Sequence, residues 1–282
     1  MAAITVGDFR ITLVRAGSYR WDGGVMFGVV PKTLWSKHQA PDELNRVEAG
    51  LNCYVVEDGE SRILIETGIG VRHDSVTRER IGMPDPPGLV EVLAEHGFEA
   101  DSIDLVINTH LHWDHVGGNT LGEGDRVVPA FPNARYVTQA GELEHARERH
   151  PRDAVSYRSI NYEPLVATGT MQLLDKPSTE VHGGVYVDVA RGHNRDMMVV
   201  RVDSDGESYI HLADLAPFSA QVTPTWVSGF DLFPLDTIAS KTAILRRCAD
   251  RGTWCSFGHD PKVAFAKIAV EEGKWGVRQS LS

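Results

Sequence analysis

The chain reads as an α/β protein, and three features predict that class. Runs with strand-like alternation and runs with helical spacing interleave along its whole length. Residues 103–108 (IDLVIN) form an apolar-rich run of strand length, as in a strand buried on both faces. No change in composition, low-complexity tract or short repeat marks a boundary, so residues 1–282 are expected to form a single domain.

Taken in order, residues 9–14 (FRITLV) alternate apolar and polar side chains as a half-buried strand does. Residues 16–50 differ, mixing Gly17, Gly23, Gly24, Pro31 and Pro41 with Trp21, Met26, Phe27 and Trp35. A punctuated segment of that length is expected to be an N-terminal lid or substrate loop, or else a loop packed on the core. Residues 51–57 and 62–66 read as two strands joined by a tight turn at Asp58-Gly59. Residues 89–95 read as a short helix after the Pro86-Pro87-Gly88 breaker. The strand at 103–108 runs directly into Thr109-His110. A strand at 135–138 and a helix at 140–149 follow, then strands at 171–174, 185–189, 197–202 and 209–212. Residues 236–251 place Ile238, Thr242, Leu245 and Ala249 on one helical face. A strand at 253–257 and a helix at 262–271 complete the reading. Residues 61–68 (SRILIETG) echo 208–215 (SYIHLADL), each a strand ending in an acidic residue, as two pseudo-symmetric halves would show.

A length of 282 residues suffices for one large α/β domain. The net charge of −11 repels phosphate backbones at long range, so no nucleic-acid partner is expected. The three cysteines, Cys53, Cys248 and Cys255, form no CxxC, which fits a reducing compartment rather than a disulfide framework. There is no signal-peptide pattern and no apolar stretch of the roughly 18 residues needed to span a membrane, so a cytoplasmic location is expected.

The chemistry concentrates in Thr109-His110-Leu111-His112-Trp113-Asp114-His115-Val116-Gly117-Gly118. Imidazole nitrogens and carboxylate oxygens suit zinc and other borderline divalent ions. His110 and His112, two apart in an extended turn, can share one ion. Asp114 and His115, where the chain bends into a helix, can face another. Gly117-Gly118 lets the backbone pass close to the site. His193, Asp214 and His259 each stand where a strand meets a loop. Any one of them alone reads as a loop or cap residue; with the cluster they supply further ligands.

These residues resemble the metallo-β-lactamase superfamily in their HxHxDH run, later Gly-His, strand-terminal Asp and final Gly-His, over about residues 51–259. The resemblance implies a four-layer αββα sandwich of two similar halves, with metals at one edge of the sheets. It places His110, His112 and His193 on a first metal, Asp114, His115 and His259 on a second, and Asp214 between them. Two divalent ions are implied, with zinc expected first and manganese, iron or cobalt as alternatives. An aspartate at position 214 is similar to lactonases, glyoxalase II-like thioesterases and phosphodiesterases, and the whole is most similar to lactonases. Only 23 residues follow His259, too few for the helical C-terminal domain of glyoxalase II enzymes.

The implied activity is hydrolysis of a lactone or carboxylic ester of a small molecule through a metal-bridging hydroxide, with Asp114 as ligand and proton shuttle. The alternatives are a phosphoesterase with the same ligands, an iron-dependent sulfur dioxygenase, or a binding module without catalysis. A homodimer is compatible with the sequence. The chain departs from the family pattern at Glu66-Thr67-Gly68, where Asp-Thr-Gly is usual, and at Gly192-His193-Asn194-Arg195-Asp196-Met197, where GHTPGH is common. Tyr157 and Tyr162 stand in the region where some lactonases hold the substrate carbonyl with a tyrosine, although packing would explain either. Trp21, Met26, Phe27 and Trp35, with Trp226, Phe230 and Phe233, are candidates for pocket walls or for core. His211 is expected in the core or supporting the site, and Cys255 as a small buried group.

Overall fold

A computed structural model describes residues 1–83, 88–122 and 124–282. Pro86 and Pro87 of the expected breaker lie outside the described residues. The first half carries β1 (Ala3–Val6), β2 (Phe9–Asp22), α1 (Gly23–Phe27), α2 (Lys32–Trp35), β3 (Arg46–Glu57), β4 (Arg62–Ile65), α3 (Ser75–Arg80), α4 (Leu89–Glu95) and β5 (Leu105–Ile107). It continues through α5 (Trp113–Val116), β6 (Thr120–Leu121), β7 (Val128–Pro129), β8 (Arg135–Gln139), α6 (Ala140–Glu148), α7 (Glu163–Ala167) and β9 (Met171–Leu174). The second half carries β10 (Ser178–His182), β11 (Val185–Val189), β12 (Met198–Ser204), β13 (Glu207–His211), α8 (Pro234–Arg251), β14 (Trp254–Ser256), β15 (Phe265–Glu271) and β16 (Lys274–Leu281).

Two seven-stranded sheets form, in the orders β1-β2-β3-β4-β5-β8-β9 and β10-β11-β12-β13-β14-β15-β16. Period-2 alternation decides what each face touches. In β12 and β13, Val200 and Tyr209 face the other sheet, where they meet Ile11, Tyr54, Ile63 and Ile107. Their neighbours Val199 and Ile210 face α8 and pack with Ile244, Leu245 and Cys248. A third apolar layer, with Val55, Leu64 and Val106, covers the outer face of the first sheet with Leu93, Leu143 and Leu165 from its helices. Three buried apolar layers separate four layers of secondary structure, the αββα sandwich.

The echo between 61–68 and 208–215 has a structural meaning. β4 pairs antiparallel with β3 and parallel with β5. β13 pairs antiparallel with β12 and parallel with β14. Each is the fourth strand of its sheet, and each is followed within two residues by one with positive φ, Glu66 (64°) and Ala213 (45°). Both chains therefore turn sharply at the same edge of the sandwich.

Two expectations need correction. Residues 262–271 are not a helix; β15 and β16 form a hairpin turning at Glu272 (φ 49°) and Gly273 (φ 77°). A register shift between Lys267 and Ile268 breaks the alternation, so the apolar pattern imitates helical spacing. The segment 16–50 is not one continuous loop either. β2 runs on to Asp22 through a bulge between Arg15 and Ser18, and β3 already begins at Arg46. The glycines and aromatics that suggested a loop mark that bulge and the two short helices between the strands.

Candidate metal centre

The site is built at the strand ends just described. Thr67 donates its N–H to the His115 carbonyl (2.8 Å) and Gly117 donates to the Gly68 carbonyl (2.8 Å), which ties the His110–His115 turn to the end of β4. Glycine is required there by close approach. A Cβ on Gly117 would lie 2.0 Å from the Ile69 carbonyl oxygen, and one on Gly118 2.3 Å from that of Thr67. Gly192 has φ 144° and abuts Thr237 of α8, which positions the adjacent His193.

All seven expected residues converge. His110, His112, His193 and Asp214 form one cluster of donor atoms lying within 4.8 Å of one another, and Asp114, His115 and His259 form a second. Asp214 stands between them with its oxygens divided. Oδ2 lies 3.4 Å from His193 Nε2 and 3.9 Å from His110 Nε2, while Oδ1 lies 3.2 Å from His259 Nε2 and 3.4 Å from His115 Nε2. His112 Nδ1 is 3.0 Å from His193 Nε2, and His115 Nε2 is 3.2 Å from His259 Nε2.

The opposite ring nitrogens are held from behind. His259 Nδ1 meets the Gly50 carbonyl (3.0 Å), His193 Nδ1 meets Asp231 Oδ1 (3.2 Å), and His110 Nδ1 meets Thr109 Oγ1 (3.0 Å). Such contacts fix the rings and leave the other nitrogen's lone pair directed at the site. Glu66 belongs to this supporting layer. Its Oε1 accepts from the Thr109 hydroxyl and N–H and lies 3.4 Å from His115 Nδ1, on the side of the ring away from Asp214. The longer side chain thus still supports the metal turn.

The residues fit divalent ions by their donor chemistry and by what they leave unpaired. His110 Nε2 and Asp214 Oδ1 are buried with no hydrogen-bond partner, although both sit at the centre of the cluster. Buried polar atoms are rarely orphaned. Convergent imidazole and carboxylate lone pairs are what a cation satisfies. The imidazoles divide in their hold on a proton, two favouring the neutral form and three, beside the carboxylates, the charged one. Burial, then the neighbouring imidazoles, holds His110 well below its ordinary range. Burial, then His193, does the same to His112. Burial also pulls His115 down, but the carboxylates of Asp214, Glu66 and Asp114 outweigh it and raise that imidazole well above the ordinary value. Burial pushes Asp214 up, yet His115, His193 and His259 more than reverse this, so its carboxyl stays ionised.

Several participants carried no sequence signal. Tyr19 donates its hydroxyl to Asp114 Oδ2 (2.8 Å). Burial first, then the Asp114 charge, keeps this phenol protonated far above its ordinary range. Tyr19 sits just past the bulge in β2, and 95 residues separate it from Asp114, so only the fold brings the two together. Asp231, behind His193, was missed for the same reason.

A cavity of about 360 Å³ opens onto the centre, within the usual range for small-molecule pockets. Trp21, Met26 and Phe230 line it. Phe27 and Trp35, stacked at 5.2 Å, lie in the core instead. Trp226 and Phe233 do not line this cavity. Tyr157 and Tyr162 are buried; the Tyr157 hydroxyl is spent on Glu142 Oε1 (2.9 Å), so packing explains both. His211 is buried against Ser256 (2.9 Å), and Cys255 is a buried free thiol.

A sequence profile of the metallo-β-lactamase superfamily matches residues 48–259. The chain belongs to that superfamily. The family, together with the hydrolases among its relatives, supports a hydrolytic enzyme. Among curated proteins it is 26% identical over 152 residues to an N-acyl homoserine lactonase of Bacillus thuringiensis, a match covering 48% of this chain and 57% of that protein. The match therefore spans little more than half of that relative's length. A probable metallo-hydrolase of Mycobacterium tuberculosis is 22% identical over 214 residues, covering 67% of this chain and 66% of its own. Among solved structures, a probable metal-dependent hydrolase from Staphylococcus aureus superposes with a TM-score of 0.89 at 26% identity, covering 99% of this chain and all of its own. A dizinc quorum-quenching lactonase in complex with a homoserine product superposes at 0.81 with 19% identity, covering 100% of this chain and 98% of its own, and shares the fold. No helix among the described residues is long and apolar enough to cross a membrane.

Proposed function

We propose that this superfamily member opens a lactone, or cleaves a simple carboxylic ester, of a small molecule at a dinuclear centre. His110, His112 and His193 would hold one ion, Asp114, His115 and His259 the other, and Asp214 would bridge them. The observation that carries this reading is the division of Asp214, one oxygen toward each histidine group. Two divalent ions held there, zinc first among them, would acidify water into a nucleophile near neutral pH and polarise a carbonyl.

The chain's own groups do the rest. The cavity admits the carbonyl beside Asp114 and Asp214 and surrounds the remainder of the substrate with Trp21, Met26, Trp113 and Phe230. Asp114 is the catalytic proton carrier: it lines the cavity and is less buried than the histidines beside it. As the hydroxyl of water adds to the carbonyl carbon and the ring C–O bond breaks, Asp114 passes the proton to the departing alkoxide. Tyr19, bonded to Asp114 Oδ2, fixes that carboxylate's orientation. The lactonase among the curated relatives and the product-bound lactonase among the structural neighbours support the choice of lactones.

The test is a pH-indicator hydrolysis panel with and without chelator. It covers acyl homoserine lactones of short and long chain, plain γ- and δ-lactones, an aryl ester, a thioester and a phosphotriester. Chelator-sensitive turnover of lactones or esters is expected. Cleavage of the phosphotriester with no turnover of any carboxylic ester would replace this reading with a phosphoesterase.

A further inference from the structure

The charges lining the cavity point to the substrate's other end. Among the described residues that line it, the only acidic ones are Asp114 and Asp214, both assigned to the metals in the reading above, on which this inference rests. The cations that line it are Arg80, the last residue of α3, and Arg158, between α6 and α7. Two divalent ions would already outweigh two carboxylates, so the remaining formal charges among the described lining residues are positive. This occurs in a chain of net charge −11.

Arg158 is held in place. Its Nη1 donates to the Arg72 carbonyl (3.1 Å) and lies 3.3 Å from His73 Nδ1, while its Cζ stands 5.5 Å from the centre of the Trp113 ring. Trp113 is the residue before Asp114, so the guanidinium is fixed one ring away from the reacting centre. The side chain is half-buried, and that burial lowers its pKa against a weaker pull from Asp74. Asp74 itself is occupied in capping α3 through Thr77 (2.7 Å). Among the described residues no carboxylate forms an ion pair with Arg158 or Arg80. A partly desolvated guanidinium without a carboxylate partner is unusual, and it binds carboxylates in a fork geometry that ammonium groups lack. Both contacts of Arg158 use Nη1, which leaves Nε and Nη2 for a ligand.

We propose that Arg158 is a specificity-determining residue that receives a carboxylate on the non-reacting end of the substrate. The preferred substrates are then lactones or esters bearing an anionic side chain, with Arg80 adding attraction at the mouth.

Matched γ-lactones test this, with side chains of equal length ending in methyl or in carboxylate, assayed with the metal-loaded enzyme at low and high salt. A charge-assisted contact of this kind is worth about tenfold in kcat/KM. The carboxylate-bearing lactone should lead by that factor, and the lead should shrink at high salt. Arg158→Gln should remove most of it, Arg158→Lys should retain part, and Arg80→Gln should lower it less. Equal rates for the two lactones, or a lead unchanged in Arg158→Gln, would overturn the inference. If no lactone of either kind is opened, the hydrolase reading fails separately. Calorimetric binding of the corresponding lactams, charged against neutral, to wild type and Arg158→Gln then still decides the role of Arg158. Tighter binding of the charged lactam that is lost in the variant supports the role, and equal binding refutes it.

Discussion

Glu142 offers a stability measurement that isolates one buried group. It lies in the first turn of α6 and is fully buried. Oε1 accepts from the Leu111 N–H (2.9 Å), inside the metal turn, and from the Tyr157 hydroxyl (2.9 Å), while Oε2 is buried without a partner. Burial is the largest influence and raises the carboxyl from 4.5 to about 7; the two hydrogen bonds pull the other way. The sign follows from linkage. A carboxyl with a raised folded-state pKa stabilises the fold most when protonated, below its unfolded value. That stability is lost as pH rises from there through the folded value. Between pH 5 and pH 8 the loss amounts to about 2.5 kcal/mol by linkage, about three-quarters of the full span of the shift. Glu142→Gln keeps an acceptor for Leu111 and Tyr157 and removes the titration. Urea unfolding of both proteins at several pH values measures the effect. Subtracting one curve from the other cancels the histidines common to both. The difference should favour the variant increasingly with pH, by about 2.5 kcal/mol across that window, on top of a constant offset. A difference that stays flat from pH 5 to pH 8 would show that Glu142 titrates near its ordinary value and that the burial argument is wrong.

Three further outcomes are expected. Asp214→Ala should leave less than two metals per chain by elemental analysis and lower hydrolysis by roughly a thousandfold, since several kcal/mol of transition-state stabilisation depend on the pair; full activity with one metal bound would remove the bridging role. Glu66→Asp restores the residue usual in the family but withdraws the carboxylate by one methylene from Thr109 and His115, so metal affinity should fall by roughly 10–100-fold in chelator competition. An unchanged affinity would show that the turn adjusts without help. Tyr19→Phe deletes one charge-assisted hydrogen bond to Asp114, worth about 2 kcal/mol. It should lower kcat more than it changes KM and loosen the metal proposed for Asp114, His115 and His259, whereas a change confined to KM would mark Tyr19 as a pocket wall only.

Most strands and the two longest helices could be read from periodicity, because alternation and helical spacing are local properties of the chain. The elements misread are those where a local irregularity hides the pattern. The shift between Lys267 and Ile268 made β15 look helical, and the bulge between Arg15 and Ser18 made the end of β2 look like loop. The identity and order of the seven clustered residues were also legible, since ligand chemistry is written in residue type and in its position at strand ends. What the sequence by itself determined was therefore the class of fold, the residues of the cluster and the family it resembles. Only the tertiary structure divided the oxygens of Asp214 between two histidine groups, set Asp231 behind His193, brought Tyr19 onto Asp114 and placed Arg158 over Trp113. Those contacts join residues from about twenty to 95 positions apart, across surfaces that exist only once two sheets and their helices have packed. No local pattern encodes them.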